Sequence, residues 1–246
     1  MSTDYDPIAE QYKRSKEQPW RAFIEAHTLM TRVGDLSGKS VLDVACGEGF
    51  YTRLLRRKGA ARVTGVDLSP RMIELARAEE IQRPLGIDYM VGDGGDLRFS
   101  EPFDMVFAAY LLNYARDREE LGRMCESIAR CLKPGGRFVS VNCNPAAAFD
   151  GAVSYRPYGF DAGLRGPAGE GAPIVWTFHL EDGGALEIEN YLLDRSLHDA
   201  AFQSAGLKVR WPPPLLSPQG EAAFGRAYWR DFLEHPPIAF IDGVKA

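Results

Sequence analysis

The chain has 246 residues, 45% of them hydrophobic and 26% charged, with a net charge of −5. That length leaves room for one α/β domain with a core of normal size. The charge balance offers no basic field to draw nucleic acid or an anionic membrane, and no apolar run reaches the ~18 residues of a membrane span.

The start, MSTDYDPIAEQYKRSKEQPW, is too polar and acidic for a signal peptide. The four cysteines, at 46, 125, 131 and 143, show no CxxC spacing and have no histidine near them in sequence. A zinc site is therefore not expected, nor any other metal. Scattered cysteines of this kind suit reduced thiols and a cytoplasmic address. Cys46 reads as a small buried filler rather than a nucleophile.

Residues 5 to 16 read as a short helix, and 19 to 33 as a second, opened by Pro19 in its first turn. SVLDVACGEGFYTRLL, residues 40 to 55, reads as a buried strand, a glycine turn and a helix carrying Phe50, Leu54 and Leu55. RLLRRK, 53 to 58, supplies that helix's wet face. ARVTGVDLS is a second strand ending in Asp67, and PRMIELARAEEIQ is its helix. IDYMVGDGGDL gives a third strand and FDMVFAAYLLNYA a fourth. DREELGRMCESIARCL gives a helix that KPGG stops, and RFVSVNCN a fifth strand.

Beyond Asn144 the alternation of strand and helix breaks. Residues 145 to 173 read as a glycine- and proline-rich loop or lid, and IVWTFHL with ALEIENYLL as a hairpin across EDGG. SLHDAAFQSAG is a helix capped by Ser196, LKVRW a strand that PPP ends, and EAAFGRAYWRDFLEH a single final helix. The alternation from 40 to 143 implies a doubly wound, mostly parallel sheet with helices on both faces. A single domain is expected: an N-terminal helical lid over 1–34, a cofactor-binding core over 35–144, an acceptor-site insertion with its hairpin over 145–195, and completion of the sheet over 196–246.

The glycine turn, CGEGFYT, has Gly47 and Gly49, but Thr52 stands where a dinucleotide fold wants its third glycine. Asp43, at the end of the strand, would repel a pyrophosphate and suits a ligand bearing a positive group. Both points count against a nicotinamide dehydrogenase.

These segments resemble class I S-adenosylmethionine-dependent methyltransferases. VLDVACGEG (41–49) resembles their first motif, GVDLSPRMIELAR (65–77) the second, and GD (92–93) the third. FDMVFAAYLLNY (103–114) resembles the fourth and LKPGGRFV (132–139) the region after it. The resemblance implies a Rossmann-like fold and S-adenosyl-L-methionine as cofactor. It implies Asp67 on the ribose hydroxyls, Asp93 with Gly94 on the adenine amino group, and Leu68 and Met72 against the adenine ring. Asp43 and the Gly47 backbone would meet the amino-acid tail, the Ala109 carbonyl would take its ammonium, and Gly49 would complete the cofactor-binding glycine turn. The plainer readings are an N-cap for Asp67 and a turn residue for Asp93.

A finer resemblance lies in YDPIAEQYKRSKEQPWRAFIEAHTL, GFYTRLLRRKGAARVTGVDLSPRMIELARAEE and AYLLNYARDREEL, which are similar to toxoflavin-type N-methyltransferases. It implies methylation of a ring nitrogen on a small azapteridine-like heterocycle, in secondary metabolism; the oligomeric state is left open with a monomer favoured, and the net charge and the lack of an N/D-P-P-Y/F motif at the fourth strand argue against nucleic acid as the acceptor. It also implies an N-terminal segment that closes over the acceptor. Tyr5, as the acceptor-positioning residue, and Tyr12 and Trp20 would then join Tyr110, Trp176 and His179 at the acceptor; the plainer reading of Tyr5, Tyr12 and Trp20 is packing of the two helices onto the sheet. The other histidines read as surface or packing residues. Alternatives are a small-molecule O- or C-methyltransferase on the same fold, or a non-catalytic S-adenosylmethionine-binding module.

Overall fold

The computed structural model describes residues 18–180 and 183–246. Tyr5, Tyr12 and the helix expected over 5–16 lie outside these residues. The first helix described starts at Pro19, passes through a π-helical segment, Arg21–Ala26, and continues as α1, His27–Val33.

Seven strands form the main sheet: β1 (Ser40–Val44), β2 (Arg62–Asp67), β3 (Asp88–Val91), β4 (Phe103–Ala109), β5 (Leu132–Cys143), β9 (Leu207–Arg210) and β10 (Ile238–Lys245). Their order is β3-β2-β1-β4-β5-β10-β9. The first five pair in parallel, and β10 runs antiparallel to both β5 and β9. This is the mostly parallel, Rossmann-like sheet expected. Strand order reverses between β1 and β4, and in such sheets the crevice outside the carboxyl ends at that point is where ligands bind.

Side-chain alternation splits the core across the sheet. Val41, Val63, Met105, Phe107 and Val139 face one side, with Leu55 of α2 (Phe50–Arg57) and Ile73 of α3 (Pro70–Gln82). Leu42, Val44, Val106 and Ala108 face the other, with Leu121 and Ile128 of α4 (Arg118–Cys131) and Phe202 of α5 (Arg195–Ser204). A smaller antiparallel sheet, β6 (Phe160–Leu164), β7 (Ala172–His179) and β8 (Ala185–Leu192), packs its Trp176 and Phe178 into the first of these cores. Between β9 and β10 the chain forms α6 (Pro218–Phe224) and α7 (Arg230–Glu234).

Several expectations are corrected. KPGG does not separate α4 from its strand: β5 starts at Leu132 and runs through it, and the β4–β5 register shifts between Phe103 and Met105. The loop expected over 145–173 contains β6, paired along its length with β7. α5 is capped by Asp194, which accepts from Leu197 N–H, and not by Ser196, whose hydroxyl instead donates to Asp194. The final helix is two helices, because Gly225 ends α6 at φ +75. In α2 it is Tyr51, Thr52 and Leu55 that face inward, while Phe50 is exposed.

Candidate active site

The carboxyl ends of four adjacent strands surround one cleft of about 1010 Å³. Asp43, Ala45, Cys46 and Gly47 reach it from β1, and Asp67 and Leu68 from β2. Gly92, Asp93 and Gly94 follow β3, and Ala109 and Tyr110 close β4.

Each is positioned by local chemistry. After β1 the chain turns through positive φ at Ala45 (+58), Gly47 (+56) and Gly49 (+82). Gly49 does not line the cleft: it starts α2 in the left-handed region, and a Cβ there would collide with the Tyr89 ring. Asp67 ties the turn down, its Oδ2 accepting from Gly47 N–H at 2.7 Å and its Oδ1 from Ser69 N–H at 2.9 Å. The cap of α3 is therefore Ser69, which accepts from Met72 N–H, and Asp67 is left facing the cleft. Met72 is buried and Leu68 is 64% exposed, and both line the cleft. Asp93 Oδ1 accepts from Gly95 N–H at 2.8 Å. Gly94 has no room for a side chain, since a Cβ would stand 2.8 Å from Leu111 Cδ1 and 3.1 Å from Val44 Cγ1.

Asp43 is buried, and Thr52 donates its hydroxyl to Asp43 Oδ2 at 2.6 Å. The residue in place of a third glycine thus holds the carboxylate at the end of β1. This donor set fits S-adenosylmethionine: carboxylates for a cationic amino-acid tail and a ribose diol, and an apolar pair for a purine ring. Among the described residues no group of three or more His, Cys, Asp and Glu could hold a metal ion.

A methyltransferase-domain family model matches residues 41–136, the span of these strand ends. A ubiquinone biosynthesis O-methyltransferase of Xylella fastidiosa is 33% identical over 174 residues, covering 62% of this chain and 69% of the relative. The chain is a class I S-adenosylmethionine-dependent methyltransferase. S-adenosylmethionine is its methyl donor. The fold agrees: a Mesorhizobium loti S-adenosylmethionine-dependent methyltransferase superposes at a TM-score of 0.65 with 19% identity, over 94% of this chain and all of that one. The PH0226 protein of Pyrococcus horikoshii superposes at 0.69 with 19% identity, over 99% of both chains. No described helix of the methyltransferase is long and apolar enough to cross a membrane.

A small pocket of about 20 Å³ adjoins the cleft, lined by Trp20, Arg21, Tyr110, Tyr114, Trp176, Phe178, Ile188 and Asn190. Arg21, Tyr110 and Tyr114 border both spaces. Trp20 and Trp176 are nearly fully buried, and each packs on Phe160 with ring centroids 5.2 Å apart. His179 does not belong here. Strand alternation puts it on the face of β7 opposite Trp176 and Phe178, where its Nε2 lies 2.8 Å from Asp161 Oδ2.

Sequence reasoning missed Arg21, Glu25, Tyr51 and Tyr114, all at the cleft. Arg21 and Glu25 form a buried ion pair, 3.1 Å apart, on the π-helical segment. Glu25 also accepts from the Tyr51 hydroxyl at 2.5 Å and from the Tyr110 hydroxyl. Burial, and then the Glu25 charge, push the Tyr51 phenol well above its ordinary range. Arg21 and Glu25 lie on a π-helical distortion, a feature that recurs at functional sites but that sequence does not announce.

Proposed function

We propose that the methyltransferase methylates a ring nitrogen of a small planar heterocycle of the azapteridine, toxoflavin-like type. The observation that carries this reading is the set of flat groups where the cleft meets the aromatic pocket. The Arg21 guanidinium lies 5.5 Å from the Tyr110 ring centroid and 4.5 Å from that of Trp20, and Tyr114 borders the same opening. A cleft of about 1010 Å³ is at the top of the ~300–1,000 Å³ range for small-molecule sites, enough for a cofactor and a second small molecule. The side pocket of about 20 Å³ takes no more than a water-sized group. The acceptor ring therefore belongs in the cleft, with a small substituent directed at the pocket.

In this reading Asp67 holds the ribose hydroxyls and Asp93 with Gly94 the adenine amino group. Leu68 and Met72 flank the ring, while Asp43, Gly47 and the Ala109 carbonyl take the amino-acid tail. Gly49 shapes the turn. Tyr110 touches the acceptor, and Trp20 and Trp176 back it. Tyr5 and Tyr12 are assigned to it from sequence alone, within a lid over 1–34, with residues 145–195 as the acceptor-site insertion. When bound, the cofactor supplies a methyl group on a sulfonium that leaves as a neutral thioether. The residues' part is to align the acceptor for in-line displacement and to exclude water.

A second reading, O-methylation of a phenolic acceptor, is favoured by the Xylella relative, which is named for O-methylation in ubiquinone biosynthesis. One experiment separates the two. Purified protein is incubated with S-adenosylmethionine and a panel of azapteridines, pyrimidines and catechols, and the new methyl group is located by NMR. A methyl on ring nitrogen is the expected product. A methyl found only on phenolic oxygen selects the second reading, and no transfer to any member overturns both.

A further inference from the structure

Glu25 is 1% exposed, and the assignment of the cofactor makes no use of it. Its Oε1 accepts from Tyr51 Oη at 2.5 Å, its Oε2 accepts from Tyr110 Oη, and Arg21 Nη1 lies 3.3 and 3.1 Å from the two oxygens. Replacing a buried ion pair by apolar residues commonly costs a fold nothing, so this one is poor evidence of a stabilising role. The cluster is not remote from the chemistry, because Glu25, Tyr51 and Tyr110 all line the cleft.

Tyr110 adds a second, independent observation. It follows β4 with φ +64, a left-handed backbone that a bulky residue rarely takes. Its N–H donates to Val141 O at 2.8 Å, which fixes that turn on the neighbouring strand. The strained turn aims the phenol at the junction of the cleft and the aromatic pocket while its hydroxyl stays on Glu25.

We propose that Tyr110 and Glu25 form a proton relay for the acceptor. The inference rests on the acceptor class proposed above, whose ring N–H must lose a proton when it is methylated; a phenol O–H would use the same path. As the new bond to carbon forms, the electron pair of the N–H bond stays on the ring nitrogen. Its proton passes to Tyr110 Oη, and the phenol's own proton passes to Glu25 Oε2. The carbon–sulfur pair departs with the sulfur. Glu25 borders the open cleft and returns the proton to water after the products leave. Tyr110 is the residue that touches the acceptor. Glu25 acts through it, and Tyr51 and Arg21 hold Glu25 in place.

The test uses a series of azapteridines and nitrophenols graded in N–H or O–H acidity, with the whole protein. Tyr110→Phe keeps the ring and leaves the Arg21–Glu25 pair intact. Its kcat should fall about 100-fold on the least acidic acceptor, the scale of general-base catalysis, and by about threefold or less on one already ionised at the assay pH. Glu25→Gln should follow the same trend. Affinity for S-adenosylhomocysteine should stay within about twofold for Tyr110→Phe, since the proposed cofactor assignment makes no use of the Tyr110 hydroxyl. A loss of equal size on every acceptor, or no loss, overturns the relay and leaves these residues as packing. Should Glu25→Gln fail to fold, Tyr110→Phe decides alone. If the wild type methylates no member of the series, the acceptor class fails, and the relay with it.

Discussion

Thr52→Val is the sharpest perturbation of the cofactor half of the site. The substitution keeps the branched shape of a fully buried side chain and removes one hydroxyl. That hydroxyl donates to Asp43 Oδ2 at 2.6 Å, and Asp43 is itself 1% exposed. A hydrogen bond to a charged group is worth roughly 1.5–3 kcal/mol, and little of this is recovered where water cannot replace the donor. In a chain of this size each kcal/mol moves the melting temperature by about 2–4 °C, so the expected fall is roughly 3–12 °C. Calorimetric unfolding without ligand measures it, and titration with S-adenosylmethionine reports whether a poorly held Asp43 also weakens binding. Asp43→Asn separates the two effects. The amide carbonyl still accepts from Thr52, so the melting temperature should fall less, while the loss of charge should weaken binding of the cationic tail more. An unchanged melting temperature and an unchanged affinity in Thr52→Val would refute the reasoning, because the short contact would then carry no energy.

Asp67→Ala should weaken S-adenosylmethionine binding by about 10- to 150-fold, the equivalent of roughly 1.5–3 kcal/mol, in a protein that still folds; equal affinity in calorimetry would remove Asp67 from the site. Burial raises the Asp104 carboxyl, but the Lys133 ammonium at 2.8 Å and the Ser40 N–H and hydroxyl outweigh it and hold the group well below its usual range. A depressed carboxylate stabilises the fold fully above its unfolded pKa and loses that contribution as pH falls, so Asp104→Asn should cost on the order of 1–2 kcal/mol at pH 7 and progressively less from about pH 4 downward. A pH-independent difference in denaturant midpoints would contradict this assignment. Deleting residues 1–12 should cut turnover far more than cofactor affinity or melting temperature, and a full rate in the truncated protein would end the lid proposal.

The parallel half of the fold was legible because each of its elements carries its own signal. β1, β2 and β4 are runs of β-branched and small apolar residues, and Pro70 and Asp117 open the helices α3 and α4. What escaped was structure fixed by distant partners. β10, IAFIDGVK, was not read as a strand at all. It follows two prolines, and its partners, β5 and β9, lie about 100 and about 35 residues upstream. β6, FDAGL, lacks alternation and is a strand only because β7 pairs with it. KPGG read as a helix stop, whereas in the structure it lies inside β5, with Gly135 at φ +72, a conformation a strand interior seldom takes.

The same difference divides the site. The residues proposed to hold the cofactor, Met72 of α3 apart, sit at or just after the carboxyl ends of β1 to β4, so a strand signal followed by glycine or aspartate points to most of them directly. The proposed acceptor side draws on residues 20 and 21, 25, 51, 110, 114, 176 and 190, which line the cleft and its side pocket, and no local pattern spans that set. Arg21 and Glu25 show the difficulty most plainly. Opposite charges four residues apart on a helix ordinarily mark its solvent face, and here the pair is buried because Tyr51 of α2 and Tyr110 after β4 close over it. A buried charge pair is recognisable only once the groups that desolvate it are known. For this reason the sequence resolves the methyl donor more sharply than the acceptor.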